Sequence, residues 1–214
     1  GLRKKKKLRG KKEWKKRKRI EELNAVRTEK DDQDDEENPD DEIQVRRFLV
    51  SQAIPMALAG IPAIYIHCLL GSRNDSQGAE DSGIKRRINR EKLDLDEIMN
   101  ALDDPRSLRS RVFNELMILL TARQSSSAFH PAAASTVLDL GRHVFGVLRE
   151  NHETGYRVLA LHNLSGESRG CAIPEDFPLE DARDLFDDHS TLKAPHVLLP
   201  AYGIRWLVVP QRKP

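Results

Sequence analysis

The sequence predicts an α/β fold followed by an all-β part, and three observations predict it. Apolar residues recur at helical spacing from Ile43 to the glycine at 60. A continuous apolar run then covers residues 61–70, which is typical of a strand buried on both faces of a parallel sheet. After Ser125 the pattern changes to short strand-like runs separated by turn residues. We therefore expect the end of an α/β repeat, followed by a small antiparallel β domain.

The bounds of the predicted elements follow from these patterns. They are a helix over 43–59, a strand over 61–68, a loop over 71–91, helices over 93–102 and 105–123, and strands over 136–140, 143–149, 156–164, 170–173, 197–199 and 204–209. Pro55 lacks an amide donor, so it should kink or shorten the last turn of the first helix. Residues 151–155 are rich in turn formers and predict a hairpin connection.

The first 41 residues predict a disordered charged tail. Residues 1–19 contain thirteen Lys or Arg, and residues 31–42 contain nine Asp or Glu. Such blocks repel themselves and have little apolar surface to bury. One interpretation is a basic arm that binds nucleic acid and stacks Trp14 on a base. The interpretation we favour is a solvated charge run, with no nucleic acid as a partner.

The composition narrows the class of protein further. No run approaches the eighteen apolar residues that a membrane span needs, and the first residues lack the apolar core of a secretory signal. Cys68 and Cys171 are too few for a disulfide framework and lack metal-ligand spacing. We therefore expect a cytoplasmic protein with no metal and no cofactor.

Four motifs lie close together in the middle of the chain, and two more follow in the β part. They are FLVSQAI at 48–54, GIPAIYIH at 60–67, GSRND at 71–75, RRINR at 86–90, AFHP at 128–131 and HNLSG at 162–166. Together they resemble the C-terminal portion of the sucrose phosphorylase-like subfamily of glycoside hydrolase family 13, in the α-amylase superfamily. The resemblance covers roughly residues 42–214.

The resemblance implies a fold and a division into domains. The fold is the last part of a (β/α)8 TIM barrel, with residues 43–59 as its helix 7, 61–68 as its strand 8 and 105–123 as its helix 8. The family's C-terminal antiparallel β domain follows. The expected domains are therefore a tail over 1–41, a barrel part over 42–125 and a β domain over 126–214.

The resemblance also implies a reaction class. The family cleaves an α-glucosidic bond with retention and passes the glucosyl group to phosphate or another acceptor, from donors such as sucrose, sucrose phosphate, glucosylglycerol or glucosylglycerate. Retention needs two carboxyl groups about 5 Å apart. In the family these groups and a third aspartate follow barrel strands 4, 5 and 7, which precede the matching region. We expect a fragment without catalytic residues, inert alone or complementing a separate barrel part, with sugar and phosphate as partners of the intact parent.

Three residues are candidates for contact with the sugar. In the resemblance, Arg86 aligns with an arginine that hydrogen-bonds the glucosyl hydroxyls, and its planar fork suits two vicinal oxygens. Arg90 is a second candidate, although the interpretation we prefer for it is an internal salt bridge with Asp75 or Glu91. His67 ends the predicted strand, where it either lines the pocket or packs as a hydrogen-bonded core histidine, the reading we prefer.

Overall fold

A computed structural model describes residues 39–187 and 196–209. The tail predicted over residues 1–41 lies outside the described residues, except for its last three, which belong to the first helix. Across the two described ranges, no helix has both the length and the apolar character that crossing a membrane requires.

The helices come before the sheet in the chain. They are α1 (Pro39–Ala57), α2 (Ile66–Leu69), α3 (Ser76–Ser82), a 3-10 helix (Lys85–Asn89), α4 (Leu95–Asp103) and α5 (Leu108–Ser125). α1, α4 and α5 confirm three predicted helices, with ends shifted by a few residues. α1 begins at Pro39 because proline has a helical φ and lacks only an amide that the first turn leaves unpaired. Pro55 lies in its last turn, and the helix ends at 57 rather than 59.

Side-chain caps fix where α4 and α5 begin. The Asp94 carboxylate accepts hydrogen bonds from the amides of Asp96 and Glu97, at 2.9 and 3.1 Å. The Ser107 hydroxyl accepts one from the Ser110 amide at 3.0 Å. Each cap satisfies amides that the first turn of a helix cannot pair internally, and such a cap is worth about 1 kcal/mol.

The strand predicted over 61–68 is absent, and this prediction was wrong. Residues 61–65 have no regular secondary structure, and the chain then turns into α2. A strand is defined by hydrogen bonds to a neighbouring strand, and none within the described ranges pairs with this segment. Its side chains nevertheless alternate as in a strand, because Ile61, Ala63 and Tyr65 are exposed while Ile64 packs into the core.

An antiparallel sheet forms the second half of the chain and confirms the predicted β part. Its strands are β1 (Ala134–Asp139), β2 (Val144–Glu150), β3 (Arg157–Asn163), β5 (Arg183–Asp184) and β7 (Ile204–Val209), while β4 (Arg169–Ala172) and β6 (His196–Leu199) pair as a separate ribbon. The larger sheet has the order β1-β2-β3-β7-β5. β5 was not predicted, since two residues are too few to show a period.

Each face of the sheet covers its own apolar core. On one face, Val158 and Trp206 pack with residues of α1 and α5. On the other face, Leu159 and Leu207 pack beneath the ribbon formed by β4 and β6. Alternate residues of one strand point to opposite faces, so β3 and β7 contribute to both cores. The helices and the sheet therefore share a core across position 125, and the predicted domain limits stay a prediction.

Candidate functional site

The segment after α2 folds back on itself instead of forming the predicted irregular loop. Asp75 ends the motif GSRND and caps α3, accepting a hydrogen bond from the Gly78 amide at 2.8 Å. Its own amide donates to the Ile88 carbonyl at 2.7 Å. The Tyr65 hydroxyl donates to the Asn89 carbonyl at 3.3 Å. These contacts tie the 3-10 helix, which carries the motif RRINR, to the end of the apolar segment.

Arg86 lies on this 3-10 helix with its side chain exposed. Arg87 is half-buried and faces the Asp75 carboxylate at 3.9 Å. A 3-10 helix has three residues per turn, so adjacent side chains point about 120° apart. Arg87 therefore takes the inward, structural place and Arg86 the outward one, where its guanidinium can donate to a ligand.

The salt bridge predicted for Arg90 is not formed. Asp75 pairs with Arg87, and Glu91 pairs with Arg109 at 3.0 Å. Arg90 is exposed and follows the last residue of the 3-10 helix, where its amide donates to the Arg87 carbonyl at 2.8 Å. Both predicted acids therefore pair with other arginines.

His67 is half-buried and belongs to a polar network rather than to the apolar core. Its Nδ1 lies 3.1 Å from the Ser72 hydroxyl, which also accepts a hydrogen bond from Arg109 at 3.1 Å. Arg109 extends the network to Glu91. The His67 ring also packs against the ring of Tyr65, with centroids 5.0 Å apart.

Sequence reasoning missed Ser72 and Arg109 as members of this network. Ser72 lies within a quoted motif, which could have indicated it. Arg109 lies on α5, 37 residues further along the chain, and no local pattern signals such a contact. Asp75 and Glu91 each pair with an arginine, so these two carboxylates act as structural groups. The region offers hydrogen-bond donors and aromatic surface, which suit a ligand rich in hydroxyl groups.

Curated proteins give the most specific comparison. A glucosylglycerate phosphorylase of Spirochaeta thermophila is 42% identical over 131 residues, which are 61% of this chain and 22% of that protein. The glucosylglycerate phosphorylase of Escherichia coli is 40% identical over 125 residues, 58% of this chain and 22% of that protein. No protein-family model matches the chain.

Solved structures agree at the level of the fold. Trehalose-6-phosphate hydrolase of Bacillus licheniformis superposes with a TM-score of 0.57 at 15% identity, over 78% of this chain and 39% of that one. A cyclic α-maltosyl-(1→6)-maltose hydrolase of Arthrobacter globiformis gives 0.55 at 19% identity, over 77% and 30%. These comparisons support the resemblance of the C-terminal part of the chain to the sucrose phosphorylase-like members of glycoside hydrolase family 13. It matches only about a fifth of the length of the curated relatives, 22% in both cases.

The motif HNLSG at 162–166 is structural in this chain. His162 is fully buried, accepts a hydrogen bond from the Trp206 indole at Nε2, 3.2 Å away, and donates from Nδ1 to the Phe145 carbonyl at 3.1 Å. Burial lowers the pKa of His162 to about 4, so the ring is neutral. The Asn163 amide donates to the carbonyls of Glu167 and Pro200, both at 2.7 Å. Buried this way, Asn163 is unavailable for glycosylation although its triplet matches that signal.

Proposed function

We propose that this chain is the C-terminal part of a retaining α-glucosyl phosphorylase of the glucosylglycerate phosphorylase type. The observation that carries the proposal is the 42% identity over 131 residues to the Spirochaeta thermophila protein of that name. The substrates of the proposal are a glucoside donor, with glucosylglycerate first and sucrose second, and inorganic phosphate.

The exposed apolar side chains of residues 61–66 support the proposal that the upstream part of a barrel packs against them. Ile61 is 84% exposed, Ile66 51% and Tyr65 47%, although all three belong to one apolar run. Large apolar side chains left exposed within one short segment indicate a surface that is normally covered. We propose that residues 39–125 form the last part of the barrel, and that upstream segments cover the exposed side chains of residues 61–66 in the complete protein.

The chemistry divides between the two parts of the proposed enzyme. A carboxylate attacks the anomeric carbon and forms a glucosyl–enzyme ester, while a carboxylic acid about 5 Å away protonates the departing glyceryl oxygen. A phosphate oxygen then attacks the same carbon, gives its proton to the second carboxylate and frees the first. Both carboxyl groups belong to the upstream barrel in this proposal, and the 214-residue chain alone is inactive.

Arg86 is the residue of this chain proposed to bind the glucosyl group. Its exposed guanidinium carries five N–H donors in a planar fork, and donors so arranged can reach two neighbouring hydroxyl oxygens. The Nε2 atom of His67 is proposed to meet a third hydroxyl, since Nδ1 already contacts Ser72. Arg90, exposed beside the 3-10 helix, is proposed as a peripheral contact.

A chimera tests the proposed function. Residues 39–214 of this chain replace the matching C-terminal part of the Spirochaeta thermophila glucosylglycerate phosphorylase, and glucose 1-phosphate formation is measured with glucosylglycerate and with sucrose. We expect the chimera to turn over glucosylglycerate and the chain 1–214 to turn over neither donor. Turnover by 1–214 alone, or a folded chimera without turnover, would contradict the proposal.

Arg86→Gln in the active chimera tests the binding role. Loss of a charge-assisted hydrogen bond to a hydroxyl costs about 2 kcal/mol, so kcat/KM should fall about 30-fold. Arg142→Gln is the matched control, because Arg142 is an exposed arginine in the turn between β1 and β2, remote from the 3-10 helix in sequence. Equal activities of the two variants would show that Arg86 does not bind the substrate.

A further inference from the structure

Two arginines converge on the end of α1, where the chain leaves the helix for the apolar segment. Arg149 on β2 is fully buried, with 0% of its side chain exposed. It lies opposite Val158 in the sheet, on the face that packs against α1 and α5. Arg123 on α5 is also buried. Neither forms an ion pair with a carboxylate in the described part of the chain, which is unusual for buried charges.

Backbone carbonyls replace the missing acids. The Nη1 group of Arg149 donates to the carbonyls of Ala57, at 3.0 Å, and of Leu58. Its other nitrogens donate further along the chain, with Nη2 to the carbonyl of His130 in the linker between α5 and β1 at 2.8 Å and Nε to that of Ala134, the first residue of β1, at 3.1 Å. One guanidinium thus joins the end of a helix to a linker that lies about seventy residues later in the sequence.

Arg123 completes the junction from the other side. Its guanidinium donates to the carbonyls of Met56 and of Gly60, the latter at 2.8 Å. The Gly60 amide in turn donates to the Pro131 carbonyl at 3.1 Å. Gly60 has a φ of +97°, so the turn after α1 requires this glycine.

The junction places two like charges close together in the interior. Burial lowers the pKa of Arg123, and burial together with the charge of Arg123 lowers the pKa of Arg149. The negative end of the α1 dipole offsets part of this cost, because the last carbonyls of a helix have no partner inside it. The two mutually repelling cations are thus held by hydrogen bonds to carbonyl groups rather than by ion pairs.

We propose that Arg149 and Arg123 are positioning residues that fix the point from which residues 61–65 run toward the sugar-binding loop. The path continues through Tyr65, whose hydroxyl holds the 3-10 helix that carries Arg86. The β domain thereby sets the register of a segment on the barrel side of the chain. The link between residues 61–65 and sugar binding rests on the proposed function, whereas the positioning of these residues by the two arginines does not.

Hydrogen–deuterium exchange on the chain 1–214 tests the positioning without requiring activity. The readout is exchange at the hydrogen-bonded amides of Gly60 and of residues 69–72, compared with the amides of β3 as an internal reference. Arg149→Lys keeps the charge, but one ammonium cannot reach both the helix end and the linker. We expect exchange at the amides of Gly60 and of residues 69–72, which flank the segment, to become about tenfold faster while β3 changes less than about twofold.

Two further variants separate positioning from general stability. Arg149→Met removes the buried charge and recovers packing, so it should keep β3 protected and still loosen the segment. Arg157→Lys is the matched control, because Arg157 on β3 pairs with Glu150 and Asp176 and not with α1. Equal acceleration of the segment and of β3 in both Arg149 variants, or an unchanged segment, would overturn the proposal.

An activity measurement then links the segment to the sugar site. In the chimera, Arg149→Lys should raise the KM for glucosylglycerate about fivefold and leave kcat within about twofold, since a displaced binding loop weakens the substrate more than the chemistry. A loosened segment with unchanged KM would separate the positioning from the sugar site. An inactive chimera would bear on the proposed function alone, because the exchange result stands without it.

Discussion

Two buried ionisable groups beside Trp206 have pKa values shifted in opposite directions. Burial lowers the pKa of His162 to about 4, with the hydrogen bond to the Phe145 carbonyl acting the other way. Burial raises the pKa of Asp184 to about 6, although the Phe186 amide and the charge of Arg205 act to lower it. Each group is therefore held mostly in its uncharged form near pH 5.

These shifts affect stability with opposite signs. Below its ordinary pKa of 6.5 and down to about 4, His162 is protonated in the unfolded chain only, so the free energy of unfolding rises with pH through this window. Between 3.8 and about 6, Asp184 is protonated in the folded chain only, so the free energy of unfolding falls as pH rises. Each effect amounts to about 3 kcal/mol, and the two offset each other between about pH 4 and 6.

Single substitutions should expose each effect. The free energy of unfolding of Asp184→Asn minus that of the native chain should rise by about 3 kcal/mol from pH 4 to 6.5. His162→Gln should show the reverse trend from pH 4 to 6. Urea unfolding at a series of pH values measures both differences, and the other carboxylates cancel because they are common to each comparison. Differences that do not vary with pH would show that neither pKa is shifted.

At the scale of elements, the turn after α2 depends on a close contact with α5. Gly71 has a φ of +59°, and a Cβ atom there would lie 3.1 Å from the Cβ of Val112. Val112 is only 3% exposed and belongs to the core between the helices and the sheet, so it has little room to move. The network of His67 and Ser72 begins at this turn, because the Ser72 amide donates to the His67 carbonyl at 2.8 Å.

Gly71→Ala should destabilise the chain more than Gly83→Ala does. Gly83 has nearly the same φ, +63°, but its Cβ position is open, so the backbone strain is matched and only the crowding differs. The expected difference is at least about 1 kcal/mol in the free energy of unfolding, measured by urea titration. Equal losses in the two variants would mean that α5 yields at Val112.

The helices and strands show which parts of the fold the sequence could predict and why the other parts were missed. The spacing of apolar residues was sufficient for α1 and α5, and short apolar runs between turn formers were sufficient for β2 and β7. The strand over 61–68 failed because an apolar run specifies an extended path but not the neighbour that makes it a strand. In the candidate site, the role of Arg86 stays a prediction that rests on the resemblance, whereas the contact between Ser72 and Arg109 depends on tertiary packing alone.

At the scale of the whole molecule, the shared core makes cooperative unfolding the expectation. Trp206 is fully buried and contacts the rings of Phe129 and Phe186, with centroids 4.8 and 5.2 Å apart. It packs in the same cluster as Met56 and Leu116 of the helices. Removing the helices would therefore expose one complete face of the sheet.

Unfolding of a version that begins at Pro39 tests this cooperativity. That version lacks Trp14, so Trp206 is its one tryptophan and reports on the core between helices and sheet. We expect tryptophan fluorescence and far-ultraviolet circular dichroism to follow a single transition with the same midpoint. Two separate midpoints would instead support independent domains on either side of position 125.

The two cysteines give the folded molecule a built-in pair of chemical reporters. Both are free thiols. Cys68 is half-buried on α2, next to the candidate site, whereas Cys171 is buried on β4 and burial raises its pKa. A thiolate must form and meet the reagent before alkylation occurs. Alkylation of Cys68 therefore samples motions of the site, while alkylation of Cys171 waits for the ribbon of β4 and β6 to separate from the sheet.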